Sequence, residues 1–175
     1  MERVESRRAS APRRRVGRLA VLAVAVAVTA SACLERSPDG LINGFLPDSV
    51  LQTITPSCRI WAPAAPSLIN LLAAAHAAGV QLSPEECYRP FAEQVALRNY
   101  WCSLGACQFA AIPGTSVHGW GKAVDFADQN GSLTFSSLAY FWLKIEAGNY
   151  CFVHPSWAEP GGSAPEPWHW EWVCG

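Results

Sequence analysis

The sequence predicts an α+β domain in which a small antiparallel sheet is packed by helices and cross-linked by disulfides. Three observations carry this: segments that alternate with a period of two, apolar runs bounded by helix start and stop signals, and six cysteines beyond residue 57. The first helix is expected from Ser67 to Gly79, with Ser67 as N-cap, a run of good helix formers and a glycine stop. Val80 to Leu82 starts a short strand, and Pro90 to about Tyr100 reads as a second helix with proline at its first position. Lys122 to Ala127 is a strand that places Ala123, Asp125 and Ala127 on one face. Ser136 or Ser137 caps a third helix carrying Leu138, Phe141, Trp142 and Ile145, which Gly148 ends. Tyr150 to Val153 and Trp168 to Val173 are strands separated by the Pro/Gly-rich loop from Pro155 to Pro167. No internal repeat interrupts this order.

Residues 1–32 read as a cleaved export signal. Arg13, Arg14, Arg15 and Arg18 precede an uncharged run from Leu19 to Ala32 that ends Ala30-Ser31-Ala32. That run is shorter than the ~20 residues a spanning helix needs. Cleavage after Ala32 leaves Cys33 first, so lipid attachment there is expected, with an ordinary Ala-x-Ala cleavage site as the alternative. Residues 33–57, mixing Pro, Gly, Asp and Ser with isolated apolar residues, read as a tether whose Leu41, Ile42, Phe45 and Leu46 can dock, leaving 58–175 as the folded domain.

Setting Cys33 aside leaves Cys58, Cys87, Cys102, Cys107, Cys151 and Cys174, enough for three disulfides in an oxidising compartment. Cys102 and Cys107 are close enough in sequence to staple one loop. A zinc knuckle is the poorer reading of these cysteines, because no partner pair follows at metal-site spacing. The signal contains seven of the 13 basic residues and two of the 14 acidic ones, so the exported chain carries about −6. No basic stripe survives, which excludes a nucleic-acid partner.

The chemistry concentrates in Ser116-Val117-His118-Gly119-Trp120-Gly121-Lys122-Ala123-Val124-Asp125 and in Glu166-Pro167-Trp168-His169-Trp170-Glu171. Two imidazoles and a carboxylate, His118, His169 and Asp125, supply three ligands to one zinc ion and leave a fourth position open, the pattern of a catalytic site. His118 lies an odd offset from Asp125, so a bend at Gly119 or Gly121 must bring it round. Period two in the last strand puts Trp168, Trp170 and Trp172 toward the core and His169 on the opposite face. Glu166, just before that strand, is placed to act as general base on zinc-activated water, with Glu171 as the rival. His76 and His154 are assigned structural or supporting roles.

These residues resemble a known family. Ser-x-His-x-x-Gly-x-Ala-x-Asp followed by Glu-Pro-Trp-His-Trp is similar to the VanY-type zinc D-alanyl-D-alanine carboxypeptidases, over roughly Trp61 to Val173. The resemblance implies a compact α+β fold, zinc held by His118, Asp125 and His169, and Glu166 as catalytic base. Cys87-Tyr88-Arg89-Pro90-Phe91-Ala92-Glu93-Gln94 is similar to the family element whose arginine polarises the scissile carbonyl or holds negative charge near it. That implies this role for Arg89, contact with the substrate's terminal carboxylate for Ser116, and a supporting role for Gln94. Tyr140 to Lys144 and Phe152 to Ala158 resemble the actinobacterial branch. Cys87 and Cys151 stand where the family commonly has small residues, and Pro90 replaces its usual serine. Six cysteines allow fifteen pairings, and among these a Cys87 to Cys151 bridge between neighbouring elements and a Cys58 to Cys174 bridge tying the ends are the expected ones.

The implied function is zinc-dependent hydrolysis of peptidoglycan stem peptides by an exported monomer on the outer face of the cytoplasmic membrane or in the wall. It meets the membrane only through its signal or a lipid on Cys33. D-alanyl-D-alanine carboxypeptidase activity is the first expectation. An endopeptidase or L,D-carboxypeptidase on the same fold is the second, and a non-catalytic wall-binding lipoprotein is the alternative from another class.

Overall fold

The computed structural model describes residues 34–175, so the export signal and Cys33 lie outside the described residues. Two antiparallel sheets form. A hairpin pairs β1 (Leu51–Thr55) with β2 (Cys58–Trp61). The larger sheet contains β3 (Ser83–Glu86), β4 (Ala123–Asp128), β5 (Gly131–Ser132), β6 (Phe152–Val153) and β7 (His169–Trp172). Its order is β3-β4-β7-β6, with β5 also pairing β4, and every pairing is antiparallel. Three helices accompany the sheets: α1 (Ala65–Ala77), α2 (Phe91–Ser103) and α3 (Leu138–Glu146). No helix of the described residues is long and apolar enough to cross a membrane.

The core lies between the sheet and the helices. Trp170, Trp172, Phe126 and Phe152 from the sheet meet Leu68 and Leu71 of α1, Leu143 of α3, and Ile60 of β2. Burying side chains of this size contributes on the order of 1.5–3 kcal/mol each, and this packing rather than helix propensity holds α1. The helix starts earlier than Ser67 predicts. A 3₁₀ turn (Ala62–Ala64) leads into it, Pro66 occupies the first turn, and the Ser67 hydroxyl accepts a hydrogen bond from the Trp172 indole at 3.2 Å. On α3 the expected apolar residues do not all turn inward: Leu143 and Tyr140 are buried, whereas Leu138, Phe141 and Ile145 are exposed. The strand expected to start within Val80 to Leu82 begins just past them, at Ser83.

Residues 34–57, expected as a tether with docking side chains, are packed along the domain. Leu46 and Asn43 are buried, Arg36 and Ile42 form an isolated bridge, and β1 lies within this stretch.

The disulfides are Cys58–Cys87, Cys102–Cys107 and Cys151–Cys174. The loop staple is as expected, but the bridges Cys87 to Cys151 and Cys58 to Cys174 are not formed. Strand neighbourhood decides the pairing. Tyr88 donates its backbone N–H to Arg59 at 2.7 Å, which sets Cys58 beside Cys87, and Val173 donates to Cys151 at 2.9 Å, which sets Cys174 beside Cys151. Removing the first bridge with Cys58→Ala and Cys87→Ala together is expected to lower stability by about 2–4 kcal/mol. Denaturant unfolding under oxidising conditions measures this.

Candidate active site

β4 and β7 are neighbours, and their register sets Asp125 directly opposite His169. Cross-strand partners in an antiparallel ladder share a face, so the carboxylate and the imidazole meet without further device. His118 arrives from a four-residue 3₁₀ turn, Val117–Trp120, closed by Gly121 at φ 62°. A side chain there would be strained, and a Cβ would sit 2.9 Å from the Trp61 nitrogen, so this position requires glycine. The bend anticipated between His118 and β4 is therefore present.

Three atoms converge. His118 Nε2 lies 3.1 Å from His169 Nδ1 and 3.2 Å from Asp125 Oδ1, and His169 Nδ1 lies 3.1 Å from the same oxygen. The far ring nitrogens have acceptors of their own: His118 Nδ1 donates to the Cys87 carbonyl at 2.7 Å, and His169 Nε2 donates to Glu171 Oε1 at 3.1 Å. With those nitrogens donating, the near ones present lone pairs to each other and to a carboxylate oxygen. Such a cluster needs a cation or a proton at its centre. Tetrahedral zinc, with bonds of ~2.0–2.1 Å, separates its ligand atoms by about 3.3 Å, so His118, Asp125 and His169 fit the ion. Glu171, the rival base, is occupied in orienting His169, in the way carboxylates hold zinc-bound imidazoles.

The electrostatics agree with this cluster. Burial alone would raise the Asp125 acid, but the charges and hydrogen bonds of His118 and His169 hold it well below the usual carboxylate range. Burial opposes charge on His169, yet Asp125 and Glu171 push it up to about 9. In the metal-free protein at pH 7 this imidazole is protonated, and binding zinc must expel that proton. Zinc affinity is accordingly expected to rise with pH up to about 9, with release of about one proton per ion near neutrality. Calorimetry in buffers of differing ionisation enthalpy reads both.

The triad lines a cleft of about 620 Å³ with Arg89, Ser116 and Glu166. Arg89 is buried just before α2, and its backbone N–H donates to the His118 carbonyl at 3.0 Å. Its guanidinium forks onto Glu86, Nε to Oε1 at 2.5 Å and one terminal nitrogen to Oε2 at 2.6 Å, and donates to Gln94 Oε1 at 2.8 Å. Burial opposes its charge, but the Glu86 pair outweighs burial and raises the arginine further. Three of its five N–H groups are thus engaged and two remain. Pro90 stands just before α2 as its N-cap, not at its first helical position as expected, and its φ of −59° with ψ 152° is a geometry proline adopts without strain.

Glu166 ends the 155–167 loop with both backbone groups fixed. Its N–H donates to Ala158 at 2.9 Å, and its carbonyl accepts from the His169 N–H at 3.1 Å and from His154 Nε2 at 3.0 Å. Burial pushes its carboxyl up to about 7; His169 and Arg89 favour its charge and Asp125 opposes it. The adjoining Glu159 anchors the loop to α3, accepting from Tyr140 Oη at 3.1 Å and pairing with Lys144, while His154 Nδ1 faces it at 3.1 Å. Glu86 acts on Arg89 three residues on and Glu171 on His169 two residues back, whereas Glu159 reaches Tyr140 and Lys144 across the fold, and the sequence alone gives no role to Glu86 or Glu159. His76 is exposed, and the cleft excludes it.

Comparison with known proteins identifies the family. The model of the family "VanY: D-alanyl-D-alanine carboxypeptidase" matches residues 58–175. Among solved structures, VanYB in complex with D-alanine-D-alanine is 28% identical, with 71% of this chain and 77% of that one covered and a TM-score of 0.60. The vancomycin-resistance D,D-pentapeptidase VanY of a VanB-type cassette, in complex with Zn(II), is 26% identical over 74% and 83% of the two chains, TM-score 0.59. The LD-carboxypeptidase LdcB is 25% identical over 74% and 71%, TM-score 0.62. No curated protein matches the chain significantly. The family match spans the whole ligand set, Arg89 and the three described disulfides' cysteines, and this protein therefore belongs to the VanY family of D-alanyl-D-alanine carboxypeptidases, whose members are zinc-dependent peptidases.

Proposed function

We propose that this protein is a D,D-carboxypeptidase that removes the terminal D-alanine from peptidoglycan stem peptides, acting outside the cytoplasmic membrane after export, as a monomer anchored through Cys33. The observation that carries the reading is the convergence of His118, Asp125 and His169 on one face of a cleft that also contains Glu166 and Arg89. Similarity to a structure holding D-alanine-D-alanine supports the substrate class.

The three ligands would hold zinc, which when bound supplies Lewis acidity toward the scissile carbonyl and acidifies water. Glu166, held by its main chain at the cleft wall, takes a proton from the attacking water and returns it to the departing amine nitrogen. Arg89 directs its two remaining N–H groups at the carbonyl oxygen as negative charge develops there. Glu86 compensates the arginine's charge, so a second carboxylate gains little by approaching it, and this favours the carbonyl role over binding the free carboxylate. Ser116, buried in the cleft lining, positions the terminal carboxylate.

A panel of muropeptides tests the reading. Release of free D-alanine from a pentapeptide stem supports it. Cleavage confined to tetrapeptide stems or cross-links would move the assignment to an L,D-carboxypeptidase or an endopeptidase, a second reading supported by the likeness to LdcB.

A further inference from the structure

Residues 34–46 precede the segment matched to the family, yet they are bonded to the turn that carries His118. Glu35 donates its N–H to Gly114 at 3.2 Å and accepts from the Trp120 indole at 3.1 Å. Gly44 donates to the Gly119 carbonyl at 2.8 Å and accepts from Phe91 at 2.9 Å. Between them, Asn43 is 1% exposed, and its side-chain amide donates to the Ser116 carbonyl at 2.8 Å.

A primary amide is buried at a cost of a few kcal/mol unless it is hydrogen-bonded, so this contact holds the side chain where it is. Gly119 shows how tightly it fits: a Cβ there would lie 1.9 Å from Asn43 Oδ1. A four-residue 3₁₀ turn has few internal bonds and poor geometry, and needs external support. The turn's inner side has it, because the His118 carbonyl accepts from Arg89 and Gly121. The outer carbonyls, Ser116 and Gly119, are held by the 34–46 strap.

We infer that Asn43 is a positioning residue for the metal centre: by clamping the Ser116–Gly119 turn from behind, it holds His118 at its ligand position and Ser116 in the cleft lining. The inference rests on His118 as a zinc ligand. It extends the functional unit past the family domain, since the strap becomes part of the site.

The test uses the full chain with Asn43→Asp, which reverses the donor at constant size, and Asn43→Ser, which shortens the side chain and keeps an O–H donor. Leu46→Ala removes a buried strap side chain that does not line the cleft and is the control for general loosening. Zinc dissociation constants by chelator competition are expected to rise about 10–100-fold for Asn43→Asp and less for Asn43→Ser. The visible spectrum of the cobalt-substituted protein is expected to shift for Asn43→Asp, while Leu46→Ala lowers Tm but keeps its zinc affinity within twofold. Folded Asn43 variants with parental affinity and spectrum would overturn the inference, as would an equal affinity loss in Leu46→Ala. His118→Ala separates the underlying reading: if it binds zinc as the parent does, the ligand assignment falls and the inference with it.

Discussion

Glu166→Gln is expected to retain zinc and to lose about 10²–10⁴-fold in kcat, the range removed with a positioned proton-transfer group. The amide keeps the size of the carboxyl and the main-chain bonds to Ala158, His154 and His169, so the loop stays in place. What disappears is the ability to take and return a proton. KM is expected to change little, because the side chain is assigned no part in holding the substrate. The same variant should make the metal-free protein more stable at neutral pH. Burial raises the carboxyl to about 7, so the folded state binds the proton more tightly than the unfolded chain, and stability falls as pH rises from about 4.5 through 7. Removing the group removes that loss, worth on the order of 1–2 kcal/mol after allowance for partial solvent screening. A variant with parental turnover would assign the base elsewhere, Glu171 first.

Arg89→Lys is expected to cost about 10²–10³-fold in kcat although the charge is conserved. Lysine cannot reproduce the fork onto Glu86 while donating to Gln94 and toward the cleft, because it offers a point charge where the guanidinium offers a plane of five donors. The lost factor corresponds to ~2.7–4 kcal/mol, the scale of one preorganised donor to a developing oxyanion. If Arg89 instead bound the free carboxylate in the ground state, the lysine variant would raise KM and leave kcat near its parental value. Steady-state kinetics on one pentapeptide separates the two.

Much of the candidate site's convergence was legible because the candidate ligands His118, Asp125 and His169 obey local rules. Period two predicted that Asp125 shares a face with the small Ala123 and Ala127 and that His169 stands opposite the core tryptophans, and the odd offset of His118 predicted a glycine bend. Arg89 was found through its motif. The partners that tune these residues were not legible: Glu86 is only three residues from Arg89, yet nothing in the spacing singles it out over Glu85 as the arginine's partner, while Glu159 acts across the fold on Tyr140 and Lys144. The β1–β2 hairpin was missed for a similar reason. Leu51–Thr55 carries half-buried, mixed residues whose pairing is decided by Cys58–Trp61 and by the core beneath. The disulfide map depended on which strands lie side by side, which six spacings do not encode.

The opposition of Asp125 and His169 also bears on how the chain reaches this fold. A slip of one residue between β4 and β7 would turn one of the two groups to the far side of the pleat and leave the ion half a site. With Asp125 and His169 as the proposed ligands, zinc would bind the native alignment in preference to its neighbours, so by mass action the available metal would add to the bias toward the native sheet.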